Sequence, residues 1–286
     1  MTIRFEYASL PGVRLYYAAA GSGEKLVILL HGFPECWYSW RHQLDALGDQ
    51  YFVVAPDLRG YNLSDKPAGL GEYRIDRLTS DVAQLIRHFG QDKAVIVGHD
   101  WGAAIAWSLA MNHPELVSKL IVLQVPPMHV WKRNLSFAQL AASWYMLFFQ
   151  LPWLPEWFAR SNDYALLEGA LCSTTAARGV FTQEDVGVYK NGWRQPGALT
   201  AMINYYRANF PGRSGSANKT IEKKVGAPTL FIYGEKDHAI LPQTVKGVGD
   251  SVAGPYREHR IPTSAHWVQQ EAPDEVTRVI REFLAD

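Results

Sequence analysis

Gly98-His99-Asp100-Trp101-Gly102 lies between two runs of different character. Upstream, Ala94-Val95-Ile96-Val97 has the continuous apolar content of a buried strand. Downstream, Ala103 to Ala110 reads as an apolar helix, stopped near His113-Pro114. The glycine spacing alone carries little, since 23 glycines in 286 residues give about two chance Gly-x-x-x-Gly pairs. Strand, glycine-flanked turn and helix together are the setting in which a central side chain is lifted clear of a sheet. Glycine accepts the cramped backbone this needs. The side chain so lifted is Asp100, at a helix N-terminus that favours a carboxylate.

The choice of aspartate narrows the chemistry. A serine that attacks saturated carbon would form an ether, which water cannot reopen. A carboxylate that attacks saturated carbon forms an alkyl ester, whose carbonyl water can hydrolyse. Asp100 therefore suits displacement at sp3 carbon, such as epoxide opening or carbon–halogen cleavage. The competing expectation is that Asp100 only caps its helix.

Working outward, Arg4 to Ser9 and Val13 to Ala20 read as strands joined at Leu10-Pro11-Gly12, and Leu26 to Leu30 as a strand buried on both faces. Trp37 to Leu47 has helical spacing, Phe52 to Ala55 is a strand, and Thr79 to Phe89 is an amphipathic helix closed by Gly90. Strand 94–97, helix 103–112 and strand 120–123 follow. Such alternation predicts an α/β fold with a mostly parallel, doubly wound sheet. After Val125-Pro126-Pro127 the rhythm changes to aromatic-rich helices over residues 128 to about 212. The polar stretch 212–219 reads as a return linker, and Glu222-Lys223-Lys224 as a solvated face. Strands return at 229–232 and 256–261, before a closing helix that starts at Ala272-Pro273-Asp274. The expected organisation is a core of residues 1–127 and 219–286 with an inserted helical cap at 128–218.

In such a sheet the working residues collect beyond the carboxyl ends of the strands. His31-Gly32-Phe33-Pro34 follows strand 26–30, so the Phe33 amide can converge with the amide of Trp101 to form an oxyanion hole. Asp237 follows strand 229–232, and is better placed than Asp250 to orient a histidine; the end of strand 120–123 offers Gln124 instead of an acid. His266 follows the last strand and completes the order nucleophile, acid, histidine.

With these motifs in hand, the chain resembles the epoxide hydrolases of the α/β-hydrolase fold over essentially its full length. The matching stretches are His31-Gly32-Phe33-Pro34-Glu35 with Trp37-Tyr38-Ser39-Trp40, Asp57-Leu58-Arg59-Gly60-Tyr61, Gly98-His99-Asp100-Trp101-Gly102, and the Asp237/His266 pair. The resemblance implies that two cap tyrosines hold the epoxide oxygen. Tyr145 fits the first, ahead of Phe148-Phe149-Gln150-Leu151-Pro152; Tyr206 in Asn204-Tyr205-Tyr206-Arg207 fits the second, with Tyr205 as its competitor. It further implies a substrate pocket that includes His31, Pro34, Phe148, Phe149 and Trp267, a small hydrophobic epoxide and water as reactants, and neither cofactor nor metal. Asn62 departs from the pattern, where a second glycine is common, and this puts one loop conformation in question. Dehalogenases of the same fold are the nearest alternative. Haloalkane dehalogenases often place a halide-binding Asn where Phe33 stands, and fluoroacetate dehalogenases use arginines that Trp101 to Ala110 lacks. A hydrolase-fold binding protein without catalysis is the alternative of another class, and the intact Asp100/Asp237/His266 set argues against it.

Composition excludes other classes. Lys+Arg 28 against Asp+Glu 28 leaves no net charge, which gives no reason to expect nucleic acid or anionic membranes as partners. Two cysteines, Cys36 and Cys172, are too few for a disulfide framework. Met1 to Glu6 has no apolar leader, and the most apolar stretch, 140–158, is broken by Ser143, Gln150, Pro152 and Pro155. No membrane anchor is expected, and the cytoplasm is the expected compartment.

Overall fold

Leu26–Leu30, β3, is five consecutive buried residues, and its alternating side chains face two separate cores. A computed structural model describes residues 2–210 and 223–286 of the chain. Among these, eight strands form one sheet: β1 (Arg4–Leu10), β2 (Val13–Ala20), β3, β4 (Phe52–Pro56), β5 (Ala94–His99), β6 (Val117–Leu123), β7 (Thr229–Gly234) and β8 (Tyr256–Ile261). The spatial order is β1-β2-β4-β3-β5-β6-β7-β8, antiparallel as far as β4 and parallel from there on. Leu26, Ile28 and Leu30 share a core with α2 (Ile75–His88) and α3 (Trp101–Asn112). Val27 and Leu29 share the other with α1 (Arg41–Leu47) and α10 (Pro273–Ala285). Helices thus cover both faces, which accounts for the absence of polar side chains from β3 and β4. Truncating a side chain such as Ile28 to Ala would cost about 2–5 kcal/mol.

Two helices differ from the sequence reading. The segment expected as one helix over 37–47 is a 3-10 turn, Trp37–Trp40, followed by α1. Helix α2 begins at Ile75 rather than Thr79, because Asn209, far along the chain, accepts a hydrogen bond from the Ile75 amide at 2.8 Å. A cap supplied from so far away has no local signature. Asn62 takes φ 37°, a left-handed conformation that asparagine tolerates, and its side chain donates to Asp57 Oδ2 at 2.9 Å.

Between β6 and β7 the chain leaves the sheet through α4 (Met128–Arg133), α5 (Phe137–Ala142), α6 (Trp144–Phe148), α7 (Leu154–Cys172), α8 (Gln183–Trp193) and α9 (Ala198–Ala208). Helix α7 is interrupted at Ser161 to Tyr164, where three residues are left-handed. Helix α8 starts in a capping box of Thr182 and Asp185. Polar bonds seat these helices on the sheet: Trp193 Nε1 donates to the Pro34 carbonyl at 2.6 Å, and Tyr38 and Arg41 both reach Asp185 at 3.0 Å. The expected return linker at 212–219 and the boundary at 218/219 lie outside the described residues, as does Glu222; Lys223 and Lys224 are exposed.

Candidate active site

The turn after β5 places Asp100 at φ 50°, ψ −117°, a conformation an L-residue holds only when its surroundings enforce it. The flanking glycines are obligatory through close approach. A Cβ on Gly98 would run into the backbone of Gly102, and one on Gly102 into the backbone of Leu30. Gly32 meets the same limit from the other side, because a Cβ there would overlap the Asp100 side chain. The Asp100 side chain makes no capping bond to α3. Instead, the Phe33 amide donates to Asp100 Oδ1 at 2.7 Å, and Oδ2 faces His266 Nε2 at 3.8 Å. The Trp101 amide, the first of α3, makes no hydrogen bond to this carboxylate among the described residues.

His266 and Asp237 stand beyond the ends of β8 and β7. His266 Nδ1 donates to Asp237 Oδ2 at 2.8 Å, which turns Nε2 toward Asp100. Asp237 is 2 % exposed and collects further donors: the Ala239 and Ile240 amides on Oδ1, and Gln124 Nε2 on Oδ2 at 2.7 Å. Asp250 is mostly exposed and faces Arg133 instead. Burial by itself lowers the His266 pKa. The charge and hydrogen bond of Asp237, joined by the charge of Asp100, outweigh burial and raise it to about 9.

Tyr145 on α6 and Tyr206 on α9 come together with ring centroids 5.8 Å apart. Tyr206 packs edge-on against Phe33, Trp101 and Phe149 at 5.0–5.3 Å. Burial, reinforced by the charge of Asp100, raises the pKa of both phenols well above the ordinary 10. Tyr205 is different: its hydroxyl donates to the Arg59 carbonyl at 2.6 Å, so it is engaged in holding α9 to the core.

The remaining pocket expectations divide. Phe149 packs against Phe33 at 5.4 Å, and half-buried Phe148 lies beside Phe149. Trp267 is 3 % exposed, packs on His266 and donates to Thr174 Oγ1. Pro34 is buried, with its carbonyl taken by Trp193. His31, also expected in the pocket, bonds to the Gly32 turn. It is fully buried, its Nδ1 donates to the Gly32 carbonyl, and its Nε2 accepts from the Leu58 amide. Burial, outweighing that Gly32 bond, lowers its pKa to about 4, so it is a neutral brace for the Gly32 turn.

The profile of the α/β-hydrolase fold matches residues 25–273. Epoxide hydrolase 1 of Caenorhabditis elegans is 39% identical over 97% of this chain and 69% of its own length. Epoxide hydrolase A of Mycobacterium tuberculosis is 33% identical over 96% and 94%. The crystal structure of Bacillus megaterium epoxide hydrolase with an inhibitor superposes with a TM-score of 0.88 at 33% identity, covering 98% of this chain and all of that one. The chain belongs to the epoxide hydrolase family of the α/β-hydrolase fold.

Within this epoxide hydrolase framework, several residues support the site without a role assigned from the sequence. Gln124, directly after β6, donates to Asp237 and to the Ala265 carbonyl while accepting from the Gly234 amide. Its place at a strand end is the one signal the sequence offers. Glu271 accepts from the amides of Ala265 and Trp267, the two neighbours of His266. His99 lies between Glu35 and the His266 carbonyl, at 3.1 and 2.8 Å. No helix among the described residues is long and apolar enough to cross a membrane.

Proposed function

We propose that the protein hydrolyses apolar epoxides to vicinal diols through an ester on Asp100, with residues 128–218 acting as the cap over a core of residues 1–127 and 219–286. The observation that carries this reading is the orientation of one carboxylate: Oδ1 rests on the Phe33 amide while Oδ2 faces His266. Oδ2 attacks an epoxide carbon, the carbon–oxygen bond breaks, and its electron pair goes to the ring oxygen. That oxygen becomes an alkoxide, a far stronger base than a phenolate. Tyr145 and Tyr206 hydrogen-bond to it and supply its proton, a role supported by phenols that stay protonated at neutral pH.

In the second step His266 Nε2 takes a proton from water, and the hydroxide attacks Asp100 Cγ. Negative charge then builds on Oδ1, where the Phe33 amide already donates and the adjacent Trp101 amide is the expected second donor. Collapse expels the diol with the original Oδ2: the leaving oxygen takes the proton of the re-formed carboxyl group, and the proton held by His266 restores the phenolate left by ring opening. The 3.8 Å between His266 Nε2 and Oδ2 is too long for a direct hydrogen bond, which suits a histidine that acts on water instead of on the carboxylate. A single turnover in 18O-labelled water tests the route. The first diol is expected to carry little label, with the label in Asp100; a fully labelled first diol would exclude the ester.

A further inference from the structure

Residues 134–159 contain one charged side chain, Glu156. Arg207 holds it with bonds of 2.6 and 3.0 Å. From this segment Phe137, Trp144, Leu147, Trp153 and Trp157 project into solvent, each between 58 and 92 % exposed. Single apolar side chains on a surface are ordinary, but ring contacts run from Trp144 through Phe148 and Phe158 to Trp157, and a connected patch of this kind marks a contact surface. Exposed cations stand at both ends of the segment, Lys132 and Arg133 before it and Arg160 after it, of which Arg133 faces Asp250 at 3.6 Å. The chain as a whole is neutral, so this basic rim is a local feature.

We propose that this face of the helices seats on the surface of an anionic lipid bilayer, with the aromatic and leucine tips at the acyl boundary and the rim cations among the headgroups. The shape of the patch favours a fluid partner. Each projecting tip would need its own hollow on a protein partner, and a second copy would meet protrusions with protrusions and cations with cations. A bilayer accommodates tips of any spacing. Beneath the same face, α6 turns Tyr145 inward to Tyr206, so the surface that would touch lipid roofs the candidate site. If the epoxide reading holds, apolar epoxides dissolved in the bilayer are delivered over a short path. The delivery rests on that reading; the binding does not.

The test uses the full chain with vesicles of phosphatidylcholine alone and of phosphatidylcholine mixed with phosphatidylglycerol, followed by cosedimentation and tryptophan emission. Binding to the mixed vesicles is expected, with a blue shift, and is roughly tenfold weaker at high salt or on phosphatidylcholine alone. Phe137→Ser/Leu147→Ser/Trp153→Ser should weaken it by about tenfold or more. Lys132→Glu/Arg160→Glu should weaken binding to the mixed vesicles only, leaving the thermal midpoint and turnover of a water-soluble epoxide unchanged. The charge-reversed pair decides the matter if the triple variant does not fold. Wild-type protein that stays in the supernatant with both vesicles would overturn the proposal, as would variants that bind as wild type does. So would a dimer in light scattering that binds no vesicles and that the triple variant converts to monomer, which would assign the patch to a second copy. A protein that binds vesicles but opens no epoxide would overturn the enzymatic reading and leave the docking surface standing.

Discussion

The strand-end loops and the helices above them hold their functional groups in different ways. At the strand ends each reacting side chain is held through its other polar atom by a defined partner, which leaves Asp100 Oδ2 and His266 Nε2 facing each other. Asp100 Oδ1 has the Phe33 amide, His266 Nδ1 has Asp237, and Asp237 has two backbone amides and Gln124 besides. Above them, Tyr145 and Tyr206 are placed by aromatic edges, with ring separations of 5.0–5.8 Å. Polar bonds with short, directional geometry fix an atom; ring edges fix a wall, beside which Trp101 gives the Tyr206 hydroxyl one side-chain hydrogen bond. In the proposed mechanism, the half that must stabilise charge on the enzyme is built rigidly, and the half that meets variable substrates is built from packing.

The sharpest way to break this division is to remove one member of the rigid half at a time. Asp100→Asn is expected to abolish alkylation, with a loss on the order of 10⁴-fold or more. His266→Gln is expected to alkylate but not release product, so turnover falls about 10²–10⁴-fold and the ester accumulates. Intact-mass spectrometry after addition of an epoxide distinguishes them. An adduct on Asp100→Asn with none on His266→Gln would reverse the roles.

The packed half should fail more gently. Tyr145→Phe and Tyr206→Phe are each expected to slow alkylation by about tenfold, because two phenols share one oxygen; the double variant should lose considerably more within the ~10²–10⁴-fold range of acid catalysis. Hydrolysis of ester already formed should be largely spared. Tyr205→Phe removes the bond to the Arg59 carbonyl, so it should cost about 1 kcal/mol of stability with little change in ring opening. Stopped-flow tryptophan fluorescence separates the steps. Near wild-type ring opening in the double variant would end the tyrosine assignment.

The pH dependence sharpens the comparison further, because it concerns the rigid half alone. The His266 pKa is raised to about 9 from 6.5, so the folded state holds that proton more tightly than the unfolded chain. The stability this contributes is present in full below about 6.5 and is lost as pH rises through about 9. The thermal midpoint of wild type should therefore fall across that window, and His266→Gln should lack this component. Catalysis runs the other way, since hydrolysis needs the neutral imidazole. Esterification removes the charge of Asp100, one of the causes that raise this pKa, so the ester intermediate should titrate below about 9. Hydrolysis measured on preformed ester should rise about tenfold per pH unit beneath that point. A flat profile there would remove His266 as the base.

Much of the rigid half was legible because strand ends have local signatures. The elbow, the His31-Gly32 turn and the residues after β7 each follow an apolar run that the eye can count, whereas His266 follows the polar strand β8 and is marked by its place after the last strand. The roles that escaped depend on contacts across the chain. His31 has its place in the motif, but the bonds of its ring nitrogens to Gly32 and Leu58 are set by the fold. The choice between Tyr205 and Tyr206 was open because adjacent helical positions differ only in which way α9 faces, and Arg59 supplies that reference. Asn209 capping α2 and Glu35 meeting His99 are likewise bonds between distant segments. Local spacing cannot encode them.

The smallest expected effect tests whether the rigidity around His266 matters in itself. Glu271 touches neither reacting atom, but its carboxylate accepts the Trp267 amide on Oε1 at 3.0 Å, and the Ala265 and Ala176 amides on Oε2 at 3.1 and 2.7 Å. It holds both neighbours of His266 and ties them to the helical excursion. Glu271→Gln keeps the shape but turns an NH2 toward amides that need an acceptor, which should cost about 1–3 kcal/mol of stability. As a positioning residue it should slow hydrolysis by roughly threefold to tenfold, since general-base catalysis is sensitive to sub-ångström placement. Alkylation should be unchanged, because Asp100 and the tyrosines do not depend on this clamp. A merely structural role predicts something else: a lower thermal midpoint with both steps intact, or both steps slowed together. Single-turnover rates of the two steps, measured well below the midpoint, decide between them.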